Sequence, residues 1–166
     1  SSAASDVYKR QEQVHIYKRT NLVKSEKFSE IMQSAMNRYL NGMLTNEEVI
    51  QEMLNLAKQI REAQKAGEDL GLTADELAFY DALTKPQAIK DFYENEELIA
   101  ITKELADTLR RNRTIDWQKR ESARARMRMM IKKLLKSHRY PPEGMDDAVA
   151  TVMQQCELWV DNASMN

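Results

Sequence analysis

The residues best suited to chemistry in this chain are few and widely spaced. They are one cysteine, Cys156, and two histidines, His15 and His138. A structural zinc site needs four closely spaced Cys or His ligands, so no metal site is predicted. The glycines Gly67 and Gly71 lack the spacing and the following Lys of a phosphate-binding loop. Cys156 lies on an apolar helical stripe, which favours a core residue over a nucleophile. We expect no catalytic residue, cofactor site or metal site.

The second candidate site is a basic segment. Residues 110–139 hold 12 bases and 2 acids, whereas residues 43–109 hold 15 acids and 6 bases. Six of these basic side chains are predicted on the outer face of one helix: Arg126, Arg128, Lys132, Lys133, Lys136 and Arg139. Such a face can neutralise the backbone phosphates of duplex DNA or meet an acidic protein surface. The alternative is a solvated face that pairs with the acidic segment of the same chain.

Other side chains near this segment are predicted to be structural. Arg120 and Arg124 project into the apolar arc of the helix, and a buried guanidinium needs a carboxylate. We therefore expect at least Arg124 to pair with an Asp or Glu of the acidic helices. The methionines Met127, Met129 and Met130 could form an adaptable partner surface, but core packing is favoured because two of the three, Met127 and Met130, lie on the core arc. Structural roles are also expected for Trp117, Phe79 and Tyr80.

Composition and periodicity predict the elements that must position these residues. Four Gly and three Pro in 166 residues, with many helix formers, favour an all-α fold. Thr45 with Glu48 and Thr73 with Glu76 form capping boxes that start two helices. Ser25 is a candidate N-cap for an earlier helix. We expect an irregular bundle of six or seven helices without a sheet, over residues 25–41, 45–67, 73–83, 86–92, 95–109, 115–138 and 145–159.

The domain organisation follows from the same patterns. Residues 25–160 are predicted to form one helical domain, preceded by an extended lead-in over residues 12–24 and followed by a frayed tail over residues 161–166. Residues 1–11, back-translated with suitable codons, resemble the mosaic end of a transposase sequencing adapter. We expect them to be non-native read-through, with the chain being the tail of a longer product. A lone cysteine and the lack of a long apolar run favour an intracellular protein without a membrane span.

Three ordered stretches carry a family resemblance. Residues 71–83, which end in Phe-Tyr-Asp-Ala-Leu, resemble a segment near the C-terminus of the R subunit of type I restriction enzymes. Residues 113–117, with their Asp-Trp pair, and the basic run 119–136 before Tyr140-Pro141-Pro142 are similar to that family's next motifs. The Lys24 to Phe28 run is also similar. The resemblance covers roughly residues 20–160.

The resemblance implies a non-catalytic module of a larger cytoplasmic enzyme. In that family the R subunit carries a nuclease domain and an ATP-driven motor, for which ATP and Mg²⁺ are expected in the missing portion. The helical C-terminal region is implicated in docking onto the methyltransferase core of modification and specificity subunits, so residues 25–160 would be an assembly domain. Two alternatives stay open. The chain could be an independent helical nucleic-acid-binding protein that uses its basic helix, or a purely structural cap within a larger enzyme.

Overall fold

The computed structural model describes the backbone of residues 2–114 and 116–164, and their side chains except those of residues 16–19 and 159–164. Over this described part the chain is all-α, as predicted, and contains no strand. It holds eight α-helices: α1 (Ser2–Thr20), α2 (Leu22–Leu40), α3 (Asn46–Asp69), α4 (Ala74–Leu83), α5 (Gln87–Phe92), α6 (Asn95–Asn112), α7 (Glu121–Ser137) and α8 (Pro142–Ser164).

The helices divide into two compact units that meet in sequence between Gly71 and Leu72. Helices α1, α2 and α3 form the first unit, and α4 to α8 form the second. The prediction of a single domain over residues 25–160 is therefore wrong. The sequence did not indicate this boundary because the connection between α3 and α4 is short. Domain boundaries are usually recognised from a long linker, and these two units are not separated by one.

The first unit is a three-helix bundle in which every pair of helices is in contact. Its core consists of Val14, Phe28, Met32, Ala35, Met53, Leu56 and Ile60. The extended lead-in predicted for residues 12–24 is wrong, since residues up to Thr20 belong to α1. The buried stripe of α1 runs through Ala3, Arg10 and Val14. An arginine within this stripe breaks the apolar periodicity from which a helix is predicted.

The start of α2 also differs from the prediction. Its N-cap is Asn21, whose side-chain oxygen accepts a hydrogen bond of 3.0 Å from the backbone N–H of Lys24. Ser25 is buried inside the helix and donates its hydroxyl to the carbonyl oxygen of Leu22 at 2.9 Å. Both residue types are good N-caps, and Asn21 takes the role because α2 begins earlier than its apolar stripe indicated.

Both predicted capping boxes are confirmed. The Thr45 N–H donates to Glu48 at 3.0 Å, and the Glu48 N–H donates to the Thr45 hydroxyl at 3.1 Å. The corresponding distances for Thr73 and Glu76 are 3.0 and 3.2 Å. These bonds satisfy backbone donors that a helix start leaves without intrahelical acceptors. The starts of α3 and α4 are thus fixed locally by sequence.

Two glycines end the long helices of the first unit. Gly42 after α2 and Gly71 after α3 both have φ of 73°, a left-handed conformation that side chains disfavour. The Gly42 N–H donates to the Tyr39 carbonyl, and the Gly71 N–H donates to the Glu68 carbonyl. Gly42 closes α2 as predicted. The predicted end of α3 near Gly67 is early, because Gly67 is a buried residue within the helix.

The second unit packs α4 against α6 and α8, and α7 against α6 and α8. Phe79 and Tyr80 of α4 are buried in this unit, as is Trp117 in the connection before α7. The Tyr140 hydroxyl donates to the Leu83 carbonyl at 2.7 Å, and the Tyr93 hydroxyl donates to the His138 carbonyl at 2.7 Å. Burial raises the pKa of Tyr140 to about 12, so this hydroxyl stays a donor. Both bonds hold the turn between α7 and α8 in place.

The basic helix starts later than predicted. A 3-10 turn at Trp117–Lys119 precedes it, and Arg120 is the extended N-cap before Glu121. Arg120 is consequently exposed rather than part of the apolar arc. Ile115, taken as the first residue of this helix, lies outside the described residues. At the other end of the chain, α8 ends at Ser164, and residues 165–166 lie outside the described part. The frayed tail over residues 161–166 stays a prediction.

Candidate partner-binding surface on the basic helix

Helix α7 has one buried face and one charged face. Met127, Ile131, Leu134 and Leu135 are buried against the rest of the second unit. On the opposite side Arg126, Lys133 and Lys136 are exposed. The buried residues recur at intervals of three and four, so the positions on the far side of the helix face outward. The packing of α7 therefore creates the basic face that the sequence predicts.

Arg124 is tied into the structure by an ion pair. Its guanidinium donates to the carboxylate of Glu157 on α8 and, at 3.4 Å, to the carbonyl oxygen of Gln118 in the 3-10 turn. Pairing with a carboxylate agrees with the prediction, but placing the partner on the acidic helices is wrong. Glu157 was missed because it lies outside the acidic segment 43–109, and only the packing of α7 on α8 brings it close.

Two of the six predicted surface cations also have carboxylate partners within the unit. Arg128 pairs with Glu121 on α7 at 2.8 Å, and the Lys132 ammonium lies 4.0 Å from Asp146 on α8. Neither partner belongs to the acidic segment 43–109. Within the described part of the chain, the same kind of pair is not found for the other four predicted cations: Arg126, Lys133, Lys136 and Arg139. Surface pairs of this kind contribute little to stability, so Arg128 and Lys132 stay accessible to a partner.

Four of the six predicted cations surround one shallow depression on α7. Its volume is about 460 Å³, and its lining residues are Arg126, Met129, Met130, Lys132, Lys133 and Lys136. We call this feature the α7 depression. Arg128 instead lines a neighbouring groove of about 540 Å³ between α7 and α8, which shares Met129 and Lys132 with the depression. Arg139 lies beyond the helix end, in a left-handed conformation with φ of 61°.

Met129 gives the α7 depression an apolar centre. Its side chain is 69% exposed, although Met127 two residues earlier is buried. Core packing was favoured for this methionine run because Met127 and Met130 lie on the predicted core arc. It is correct for Met127, while Met129, which lies outside that arc, is exposed. Met130 is half-buried and lines the depression. The core arc of α7 passes through Met127 and Ile131, which leaves Met129 facing outward.

The remaining candidates for chemistry lie in three different settings. Cys156 is buried, and burial raises the pKa of its thiol to about 12, although nearby Arg113 opposes that shift. The His138 ring nitrogen lies 2.6 Å from a Glu104 oxygen on α6, which fixes the end of α7. His15 is an exposed residue of α1. Among the described residues, no group of three or more His, Cys, Asp or Glu could hold a metal ion.

A membrane span is also not found in the part of the chain that the structure describes. None of its helices combines the length and the apolar character that a bilayer crossing needs.

Comparison with known proteins identifies relatives of this chain among restriction enzymes. The family described as "Type I restriction enzyme HindI endonuclease subunit-like, C-terminal" matches residues 10–162. The HindI endonuclease subunit of Haemophilus influenzae is 39% identical over 138 residues, which cover 83% of this chain and 13% of that protein. The putative MjaIXP endonuclease subunit of Methanocaldococcus jannaschii is 34% identical over 116 residues, covering 69% of this chain and 11% of that protein. No solved structure matches.

The matches place the chain among C-terminal regions of restriction endonuclease subunits. It belongs to the type I restriction enzyme HindI endonuclease subunit-like C-terminal family. The chain spans little more than a tenth of the length of the curated relatives it matches. The resemblance inferred from the Phe-Tyr-Asp-Ala-Leu and Asp-Trp motifs is thereby confirmed.

Proposed function

We propose that this chain is the assembly region of a type I restriction endonuclease subunit, and that it docks the parent protein onto a methyltransferase core. The observation that carries the proposal is the α7 depression, where the cations Arg126, Lys133 and Lys136 surround the exposed Met129. Charges around an apolar centre are typical of surfaces that bind another macromolecule. The partners would be the modification and specificity subunits of the methyltransferase.

The catalytic chemistry of the parent would lie outside this chain. We expect the parent to be an ATP-dependent DNA translocase and endonuclease, whose motor and nuclease domains use ATP and Mg²⁺. This chain would contribute binding energy and orientation to that enzyme rather than a reacting group. We place the parent in the cytoplasm, where its proposed DNA substrate and methyltransferase partner are found.

Retention by the methyltransferase subunits tests the docking proposal. The tagged chain is mixed with purified modification and specificity subunits from the same genome, and retention is measured at about 50 mM and about 300 mM salt, where exposed charges are screened to different extents. We expect retention that weakens at high salt. The exposed cation Lys90 on α5 offers a matched control, so Lys133→Glu should reduce retention while Lys90→Glu should not. Absence of retention at low salt would argue against docking.

A second candidate function is contact with the backbone of duplex DNA, either within the parent enzyme or by the chain as an independent nucleic-acid-binding protein. The exposed row of cations on α7 favours it, because Lys and Arg along a helix gain affinity by releasing counterions. This function predicts that the isolated chain binds duplex DNA with little sequence preference. Its affinity should fall steeply with salt, with a log–log slope of about −3 if three phosphates are neutralised.

The third possibility, a purely structural cap, predicts neither behaviour. The chain would then bind neither the methyltransferase subunits nor duplex DNA. Its deletion would only reduce the solubility of the parent protein.

A further inference from the structure

Four of the residues that line the α7 depression are regularly spaced along the helix. Arg126, Met129, Lys133 and Lys136 follow one another at intervals of three, four and three residues. Residues at such intervals lie on one narrow stripe of a helix. At a rise of about 1.5 Å per residue the stripe is about 15 Å long, with Met129 about 4.5 Å from Arg126 and about 6 Å from Lys133 along the axis. A single helix laid along α7 could contact the whole stripe.

The apolar part of this surface extends beyond Met129. The groove between α7 and α8 shares Met129 and Lys132 with the depression, and Val149 and Met153 line its far side. Methionine side chains adapt to apolar partners, and they gain nothing from a phosphate. An apolar side chain entering beside Met129 would therefore find contacts on both helices.

The charged side chains around this surface differ in sign between the two helices. Cations lie along α7, whereas Asp146 and Glu157 lie along the α8 edge of the groove. The Asp146 side chain is almost fully exposed. Because Asp146 and Glu157 pair with Lys132 and Arg124, the charge that a partner would meet comes mainly from Arg126, Lys133 and Lys136. A protein segment can place acids over these cations and an apolar side chain over Met129, whereas a phosphate backbone has no apolar group to offer Met129.

We propose that this surface binds an amphipathic helix of a partner protein, in which acidic residues three and four positions on either side of an apolar residue face α7. The apolar residue would pack on Met129, and the acids would meet Arg126 and Lys133, with a further acid at Lys136. This inference rests on the proposed docking function, and it supplies the chemistry of the partner segment. Buried apolar anchors surrounded by charged contacts are where binding energy concentrates in protein interfaces.

A labelled peptide tests the proposal without the natural partner. The probe is a helical peptide of about 18 residues, or five turns, with a central leucine and glutamates at the stated intervals. One control peptide replaces the leucine with alanine, and another replaces the glutamates with glutamine. Fluorescence anisotropy with the full 166-residue chain measures each affinity. We expect the leucine peptide to bind at least about fivefold more tightly than the alanine peptide, as for an anchor residue.

Variants of the chain test the same contact from the other side. Met129→Ala should weaken binding of the leucine peptide about fivefold or more, but should barely change binding of the alanine peptide. Met43 is the matched control, because it is 68% exposed and lies after α2 in the first unit; Met43→Ala should leave both affinities unchanged. Lys133→Glu should weaken binding about tenfold relative to Lys90→Glu. Circular dichroism confirms that each variant is folded.

Several results would overturn the proposal. Equal affinity for the leucine and alanine peptides would show that no apolar anchor contributes to binding. Equal effects of Met129→Ala and Met43→Ala would show that the peptide does not bind at Met129. Failure of the leucine peptide to bind, or its displacement by duplex DNA, would also overturn it. If the methyltransferase subunits retain the chain but the peptide does not bind, the result supports docking and contradicts only this inference. If the peptide binds but the subunits do not retain the chain, the result contradicts the docking proposal instead.

Discussion

The ion pair between Arg124 and Glu157 makes a quantitative prediction about the second unit. The pair joins α7 to α8, and its side chains are 30% and 34% exposed. Arg124 also contacts the Gln118 carbonyl, so its removal loses two interactions. Hydrogen bonds to charged groups contribute about 1.5–3 kcal/mol when shielded, and exposed ion pairs about 0.2–1 kcal/mol. For this half-buried pair we expect a coupling free energy of about 1 kcal/mol.

A double-mutant cycle with Arg124→Met and Glu157→Gln measures that coupling. Urea unfolding followed by tryptophan fluorescence reports the second unit, because both tryptophans of the chain, Trp117 and Trp159, belong to it. With a urea dependence of about 2 kcal/mol per molar, a coupling of about 1 kcal/mol corresponds to about 0.5 M in the unfolding midpoint. The cycle isolates the pair because the Gln118 contact is lost in both variants that lack Arg124.

A matched cycle on Arg128 and Glu121 provides the control. This pair is also made by an arginine of α7, but its side chains are 41% and 79% exposed. Its coupling should be a few tenths of a kcal/mol, as for exposed helical pairs. The account of Arg124 as a structural residue would be refuted if its coupling with Glu157 were no larger than that of the exposed pair.

Three further predictions concern single residues. Arg139→Gly should raise the stability of the chain by about 0.5–1 kcal/mol, because Arg139 has φ of 61° at the end of α7; a lower melting temperature would contradict this. Burial disfavours the Glu76 carboxylate, but the Thr73 backbone N–H and Lys103 outweigh that effect and lower the pKa of Glu76. The stability that this shift contributes is present above the ordinary carboxyl pKa and is lost as pH falls through the lowered pKa of the folded state. Glu76→Gln should therefore weaken the dependence of the melting temperature on pH in acid. An unchanged pH profile in the variant would count against this contribution of Glu76. Cys156, with its thiol pKa raised to about 12, should resist iodoacetamide near pH 8 until urea unfolds the chain; rapid labelling of the folded chain would show that the thiol is accessible.

Local signals predicted much of the fold. The capping boxes at Thr45 and Thr73 depend on hydrogen bonds within four residues, so the sequence pattern specifies them directly. Gly42 is similarly local. Helix α1 was missed because Arg10 occupies a buried position of its stripe. The spacing of Ala3, Val7 and Val14 carried the signal that could have revealed it.

The candidate surface was predictable in composition but not in arrangement. Helical periodicity assigned the outer face of α7 and five of its cations, together with Arg139, which lies beyond the end of the helix. It could not show that Arg128 and Lys132 have the carboxylate partners Glu121 and Asp146, or that Met130, which lies on the predicted core arc, is only half-buried beside the cations. Those features depend on where α7 begins and on how α8 packs beside it, which are tertiary properties. The adapter origin of residues 1–11 stays a prediction, and resequencing the source DNA tests it.

Deleting this region from the complete parent protein tests the docking proposal most directly. The parent with and without the region is mixed with the modification and specificity subunits, and sedimentation velocity measures whether they form one complex. We expect the truncated parent to keep the ATPase activity proposed for it but to sediment apart from the methyltransferase, while the intact parent sediments with it. A truncated parent that joins the methyltransferase as tightly as the intact protein would contradict the assembly role proposed for this chain.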